Sequence, residues 1–134
     1  MPRSIAAPLF VATILMLCLI WPAAALADAA AGERVFQRCA ACHSVAAGDG
    51  PKLPGPNLKS VIGRRAGTLP GFEYSAAMVD AGKTDNLTWT RASLDKYLAD
   101  PDDVVPGTAM RMNFQLTPDD RANVIDFLEQ AAKK

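Results

Sequence analysis

Three features of the sequence predict a small all-α domain. Apolar residues recur at helical spacing in segments that open on capping residues. These segments show no strand pattern of the βαβ kind. Glycine and proline gather between them, above all over residues 44–72, as connecting loops require.

The chain opens on a segment unlike the rest. Arg3 gives a short positive region, Ile5 to Trp21 is apolar apart from Pro8 and Thr13, and Ala25-Leu26-Ala27 forms a small-residue cleavage signal. The pattern predicts a signal peptide over residues 1–27, with Asp28 opening a mature domain over 28–134. A retained anchor competes with this reading, because the run approaches the ~18–20 residues that cross a bilayer. Pro22 and the alanine-rich exit favour cleavage, which leaves a mature domain that does not span the membrane. The absence of a twin arginine implies Sec-type export to the periplasm. Cys18 follows Leu17 rather than a small residue, so it reads as an apolar leader residue and not a lipidation site.

The full chain balances 14 basic against 14 acidic residues. The leader holds only Arg3, so the 107 mature residues carry 13 against 14, a net charge of −1. That balance excludes a nucleic-acid binder. The length suits one domain with a modest core.

The first helix is expected from about Ala29 to Arg38, with Asp28 as its cap and Val35, Phe36 and Cys39 on its inner face. Gly32 lies within it, where glycine costs about 1 kcal/mol relative to alanine, so it calls for a close helix crossing or for simple tolerance. Over 44–72, Leu53, Leu58, Val61, Ile62 and Phe72 stand among the glycines and prolines and favour a packed loop over a flexible linker. A short helix is expected from Tyr74 to Asp80, and another from Arg91 to Ala99, capped by Thr90 and ended by Pro101. Leu94, Tyr97 and Leu98 form the inner stripe of the latter. The last helix starts at Thr117-Pro118-Asp119-Asp120, a cap, a first-turn proline and two carboxylates at the positive end of the dipole. Val124, Phe127, Leu128 and Ala131 form its buried face, and Lys133 and Lys134 suit its negative end.

The strongest chemical signal is Cys39-Ala40-Ala41-Cys42-His43, which reads as a c-type haem attachment site. Each thiol can form a thioether to one haem vinyl group, and the adjacent imidazole is then held as an axial ligand. A thioredoxin-like pair would need a βαβ context that is absent. A zinc site cannot be completed, because Cys18 lies in the leader and His43 is the only histidine. The sequence thus predicts one haem c, bound covalently through Cys39 and Cys42, and no disulfide. So small a core would lean on the haem, and the haem-free chain is expected to fold poorly.

With His43 used, the second axial position falls to a thioether from Met78, Met110 or Met112. Met110 stands in the turn-forming strip Pro106-Gly107-Thr108-Ala109-Met110, which can pass over a haem face. Met78 reads as core and Met112 as a residue of the haem edge.

These residues fall in a recognisable series. An N-terminal helix bearing Gly32 and Phe36 precedes CxxCH. Then follow Gly55-Pro56-Asn57-Leu58, Gly63-Arg64, Pro70-Gly71-Phe72-Glu73-Tyr74, Leu87-Thr88-Trp89, Tyr97-Leu98 with Pro101, the Met110 strip, and Arg121, Phe127 and Leu128. In this order they make the whole mature domain resemble a class I cytochrome c, of the bacterial type closest to the mitochondrial protein. The resemblance implies that terminal helices cross at Gly32, Phe36, Phe127 and Leu128, with shorter helices and loops wrapped around the haem. It implies His43 and Met110 as iron ligands and the Pro56 carbonyl as acceptor for the His43 ring N–H. Arg64, Tyr74 and Trp89 would hold a propionate, and Tyr97 and Thr108 would belong to the network near Met110. Two departures stand out. Asp102 and Asp103 replace lysines of the mitochondrial protein, and Met112 replaces an aromatic residue. Lys52, Arg64, Arg65 and Arg111 can still supply a positive rim. Lys83 to Asn86 looks like a small insertion, as in longer bacterial members.

The resemblance implies a periplasmic, monomeric, one-electron carrier rather than an enzyme. Its partners would be redox proteins: a quinol-cytochrome c oxidoreductase, a terminal oxidase, a reductase, a photosynthetic reaction centre or a dehydrogenase. Asp102 and Asp103 predict weak binding to strongly acidic partner faces. Two alternatives remain at this point: a haem peroxidase or gas-binding sensor with a labile sixth ligand, and a cytochrome tethered by its leader.

Overall fold

The computed structural model describes residue 1, residues 23–48 and residues 52–134. The expectations that rest on Arg3, the apolar run with Cys18, Pro22, Gly50 and Pro51 lie outside the described residues. Within them the architecture is helical: α1 (Ala23–Phe36), α2 (Ala76–Lys83), α3 (Arg91–Ala99), α4 (Pro101–Val104) and α5 (Pro118–Ala131). The only extended pairing among the described residues is an isolated antiparallel bridge between Arg65 and Thr88.

Capping chemistry explains most helix starts. Thr90 and Ser93 form a reciprocal capping box at α3, and Thr117 and Asp120 form another at α5, where Pro118 takes the first turn. Ser75 caps α2 by accepting from the Met78 amide at 3.3 Å. This cap sets α2 slightly later than the expected Tyr74–Asp80. Pro101 ends α3 as expected but also begins α4, because Asp100 caps the new turn by accepting from the Asp102 and Asp103 amides.

The start of α1 departs most from expectation. It begins at Ala23, so Asp28 lies inside the helix of the uncut chain instead of capping it. Residues 23–27 are four alanines and a leucine, the strongest helix formers, and they continue the helix backwards. At its other end α1 closes at Phe36, and the chain tightens into a turn that carries Cys39 to His43.

The terminal helices cross at Gly32. A Cβ there would overlap the Asn123 carbonyl and stand 2.7 Å from the Phe127 Cβ, which gives this mid-helix glycine its packing reason. Phe36 and Phe127 lie 5.0 Å apart beside the crossing. Ion pairs bind α3 to α5: Arg91 to Asp126 at 2.6 Å and Glu129 at 2.7 Å, and Arg121 to Asp95 at 2.8 Å. The core gathers Val35, Phe36, Leu94, Leu98, Val124, Ile125 and Leu128 from these three helices, joined by Met78 of α2 and Trp89 of the loop before α3. No helix among the described residues is long and apolar enough to cross a membrane.

Candidate haem site

A cavity of about 300 Å³ opens between α1, α3, α5 and the loops. Cys39, Cys42, His43, Pro56, Arg64, Tyr74, Trp89, Tyr97, Thr108 and Met110, all singled out in the sequence, line this one space.

One wall follows from a single turn. The Cys39 carbonyl accepts from the Cys42 amide at 3.0 Å and from the His43 amide at 2.9 Å, so both thiols and the imidazole sit on one compact loop. The Pro54–Leu58 strip is laced against it: the Gly55 amide donates to the Cys42 carbonyl and the Leu58 amide to the Ser44 carbonyl, each at 2.8 Å. Gly55 is required there, since a Cβ would stand 2.7 Å from His43 Nδ1 and 2.8 Å from the Cys42 carbonyl. Its absence lets Pro56 bring its carbonyl oxygen to 2.8 Å from Nδ1. A carbonyl only accepts, so Nδ1 carries the proton and Nε2 keeps its lone pair. Burial pushes the His43 pKa below its ordinary value, partly opposed by the Pro56 hydrogen bond, so the imidazole is neutral and ready to bind a metal. Burial raises the Cys39 thiol pKa against the opposing charge of Arg38, while Cys42 is exposed.

Another wall is a loop held by side chains. Thr108 is 1% exposed, and its hydroxyl pairs with the Tyr97 hydroxyl at 2.7 Å. It also accepts from the Met110 amide at 3.3 Å, which fixes the backbone of the methionine strip. Burial raises the Tyr97 pKa, so the phenol keeps its proton through the neutral range. Gly107 adopts φ +79°, the left-handed turn that leads the chain into this strip. Met110 is half-buried against the core, whereas Met78 is buried within it and also faces the cavity.

Around the remaining rim, Trp89 packs tilted against Tyr97 at 5.0 Å and Phe72 meets Tyr74 edge-on at 4.8 Å. Arg64 donates to the Asn57 carbonyl at 3.0 Å and to the Lys59 carbonyl, so part of its guanidinium shapes the loop beside the cavity. Residues that the sequence did not single out also contribute. Arg38 stacks 4.2 Å over the Phe114 ring and donates to the Gln115 carbonyl at 3.3 Å, closing the edge beside Met112. The aromatic missing at Met112 could have drawn attention to Phe114, but nothing in the sequence paired it with Arg38.

The donor set fits a covalent haem. Two thiols, a neutral imidazole and a thioether border one space walled otherwise by aromatic and aliphatic side chains. Among the described residues no cluster of three His, Cys, Asp or Glu side chains could hold a metal ion by itself.

Comparison with known proteins agrees with this geometry. The family model described as cytochrome c matches residues 29–132. The chain is 47% identical to cytochrome c2 of Rhodomicrobium vannielii over 112 residues, covering 82% of this chain and 86% of that one. It is 46% identical to cytochrome c2 iso-2 of Magnetospirillum molischianum, covering 77% and 97%. The solved structure of cytochrome c2 from Rhodospirillum centenum superposes with a TM-score of 0.68 at 38% identity, covering 77% of this chain and 97% of that one.

Proposed function

The chain belongs to the cytochrome c family, and from that membership we propose that it is a periplasmic electron shuttle whose haem iron is held between His43 and Met110. Family membership makes it a monohaem electron-transfer protein with one haem c attached through Cys39 and Cys42. The haem supplies an iron that changes charge by one unit.

What supports the axial pair is that two preformed groups, the His43 imidazole and the Met110 strip, border one cavity. His43 has its Nδ1 proton committed to Pro56, which fixes the ring and strengthens Nε2 as a donor. Met110 is presented by a strip whose backbone is tied to the buried Thr108. With His43 and Met110 both held to the iron, the thioether would raise the potential and fill the sixth position, which favours a carrier over peroxide or gas chemistry. Trp89, Tyr97, Leu94 and Leu128 are buried and line the cavity, so they would keep water from a bound haem and lower the solvent rearrangement that accompanies a change in its charge. Arg64 and Tyr74 are the groups that would meet a propionate, since both border the cavity and carry N–H or O–H donors. The exposed rim is where a redox partner would dock. The leader over residues 1–27 would deliver the protein to the periplasm, where respiratory or photosynthetic complexes exchange the electron.

The test is visible and near-infrared absorption of the mature holoprotein, oxidised and reduced, with and without carbon monoxide. Low-spin spectra, a sulfur-to-iron charge-transfer band and no response to carbon monoxide are expected. Met110→Ala should abolish the band and Met112→Ala should retain it. A high-spin spectrum or rapid carbon monoxide binding would overturn the assignment and move the function to ligand chemistry.

A further inference from the structure

The Met110 strip is held from inside by Tyr97 and Thr108, and a second, outer set of contacts reaches it from the surface. Asp102, on α4, accepts from the Gly107 amide at 3.2 Å with one carboxylate oxygen. Its other oxygen stands 3.7 Å from the Arg111 guanidinium. That guanidinium donates in turn to the Thr108 carbonyl and, at 2.9 Å, to the Met110 carbonyl. The two side chains therefore close a ring around the strip, from its entry at Gly107 to its exit at Arg111, with Met110 inside. A second cavity of about 200 Å³ borders the same strip, lined by Asp100, Asp102, Met110, Arg111 and Gln115 among others.

We propose that Asp102 and Arg111 form an outer clamp that sets how often the Met110 strip lifts, and so how readily a foreign ligand enters the sixth position. The proposal rests on the reading of Met110 as the axial ligand. The clamp tunes the strip and does not create it. Its side chains are 67% exposed for Arg111 and 58% for Asp102, so the ion pair alone is weak and screened by salt. The charged hydrogen bonds to the Gly107 amide and to the Thr108 and Met110 carbonyls give the device its hold. Because Tyr97 and Thr108 are buried, they keep the fold intact while the outer ring opens. Asp102 is a positioning residue that acts on Met110 only through the strip's backbone; Arg111 holds the same backbone and also borders the haem cavity, so Asp102→Asn is the variant that isolates the clamp.

The experiment compares wild type with Arg111→Gln, Arg111→Lys and Asp102→Asn as ferric holoproteins. Two quantities are read: the rate at which imidazole removes the charge-transfer band, and amide hydrogen exchange at residues 107–111. Arg111→Gln should speed both by about tenfold, through loss of the charged hydrogen bonds. Asp102→Asn should speed them by about threefold, and Arg111→Lys should fall between. Added salt should move wild type toward the variants and leave Arg111→Gln unchanged. Unchanged rates in Arg111→Gln would overturn the clamp, as would equal acceleration of amides in α1 and α5, which would mark a general loss of stability. If wild type lacks the charge-transfer band, the ligand assignment fails separately. Amide exchange at 107–111 then decides the clamp alone, with faster exchange in Arg111→Gln supporting it and unchanged exchange refuting it.

Discussion

The two walls of the cavity are built on different principles. The His43 wall is backbone against backbone: one turn presents Cys39, Cys42 and His43, and Gly55 lets a second strip lie directly on the imidazole. The Met110 wall is a loop suspended by side chains from other elements, Tyr97 of α3 within and Asp102 of α4 outside. The first arrangement has almost no slack, because moving it means moving main chain. The second can open by stages, since each tether is a side chain whose loss leaves the others in place.

The asymmetry breaks first at Gly55. In Gly55→Ala the added methyl must displace either the His43 ring or the Cys42 carbonyl, and the Pro56 hydrogen bond goes with it. Overpacking together with the lost hydrogen bond should lower holoprotein stability by about 3 kcal/mol, read as a fall in the urea midpoint. The redox potential should shift as well, because the imidazole loses its orienting acceptor. An unchanged midpoint and potential would mean that the strip yields freely and that the wall is no stiffer than its opposite.

Gly32→Ala tests the support behind the same wall. Alanine gains about 1 kcal/mol of helix propensity, while overpacking against the Asn123 backbone and Phe127 costs up to about 3 kcal/mol. The clash wins, because the nearest atoms belong to a helix backbone that cannot swing aside. The expected result is a net loss of about 2 kcal/mol in urea unfolding, and a stabilised variant would refute the close crossing.

Tyr97→Phe reaches the other wall with a smaller effect. It removes one hydrogen bond to the buried Thr108, worth about 1 kcal/mol. The pH dependence sharpens the point. Burial raises the folded-state pKa of Tyr97 above its unfolded value, so its contribution is complete below the ordinary tyrosine range. It is lost as pH rises through the elevated value. An alkaline titration of the charge-transfer band should therefore show less added loss in Tyr97→Phe than in wild type. Superimposable titrations would remove Tyr97 from the tether.

The two walls also differed in how plainly the sequence announced them. Cys39, Cys42 and His43 are contiguous, and their chemistry dictates one turn, so the firm wall was legible at once. The α3 and α5 starts were equally plain, because Thr90 and Thr117 satisfy amides within their own first turns. Gly32 left two readings open, since propensity alone cannot say what crosses it. The start of α1 was misjudged because Asp28 invited a cap where the alanines before it carry the helix on. The pairings of Arg111 and Arg38 stayed hidden for a different reason. Their partners, Asp102 and Phe114, are brought close by the fold, and no local pattern links them.

The smallest expected effect concerns the rim where a partner would dock on the flexible side. Arg111 is paired with Asp102, Arg38 lies over Phe114, and the exposed Asp103 adds a negative charge beside Asp102 in the chain. Positive charge there is thus largely matched, and exposed charges farther apart than about 10 Å are screened at 0.1 M salt. Electron transfer to an acidic partner should change by less than about threefold across the range of salt that screens such a face. Asp103→Lys is the informative variant, because Asp103 contributes only its backbone amide to the Asp100 cap and takes no part in the outer clamp. It should speed transfer to an acidic partner at low salt by a few-fold and steepen the salt dependence, leaving imidazole entry unchanged. A steep fall with salt already present in wild type would mean that Lys52, Arg64 and Arg65 outweigh the aspartates and that docking is centred on the His43 side. The firm wall would then both hold the iron and meet the partner.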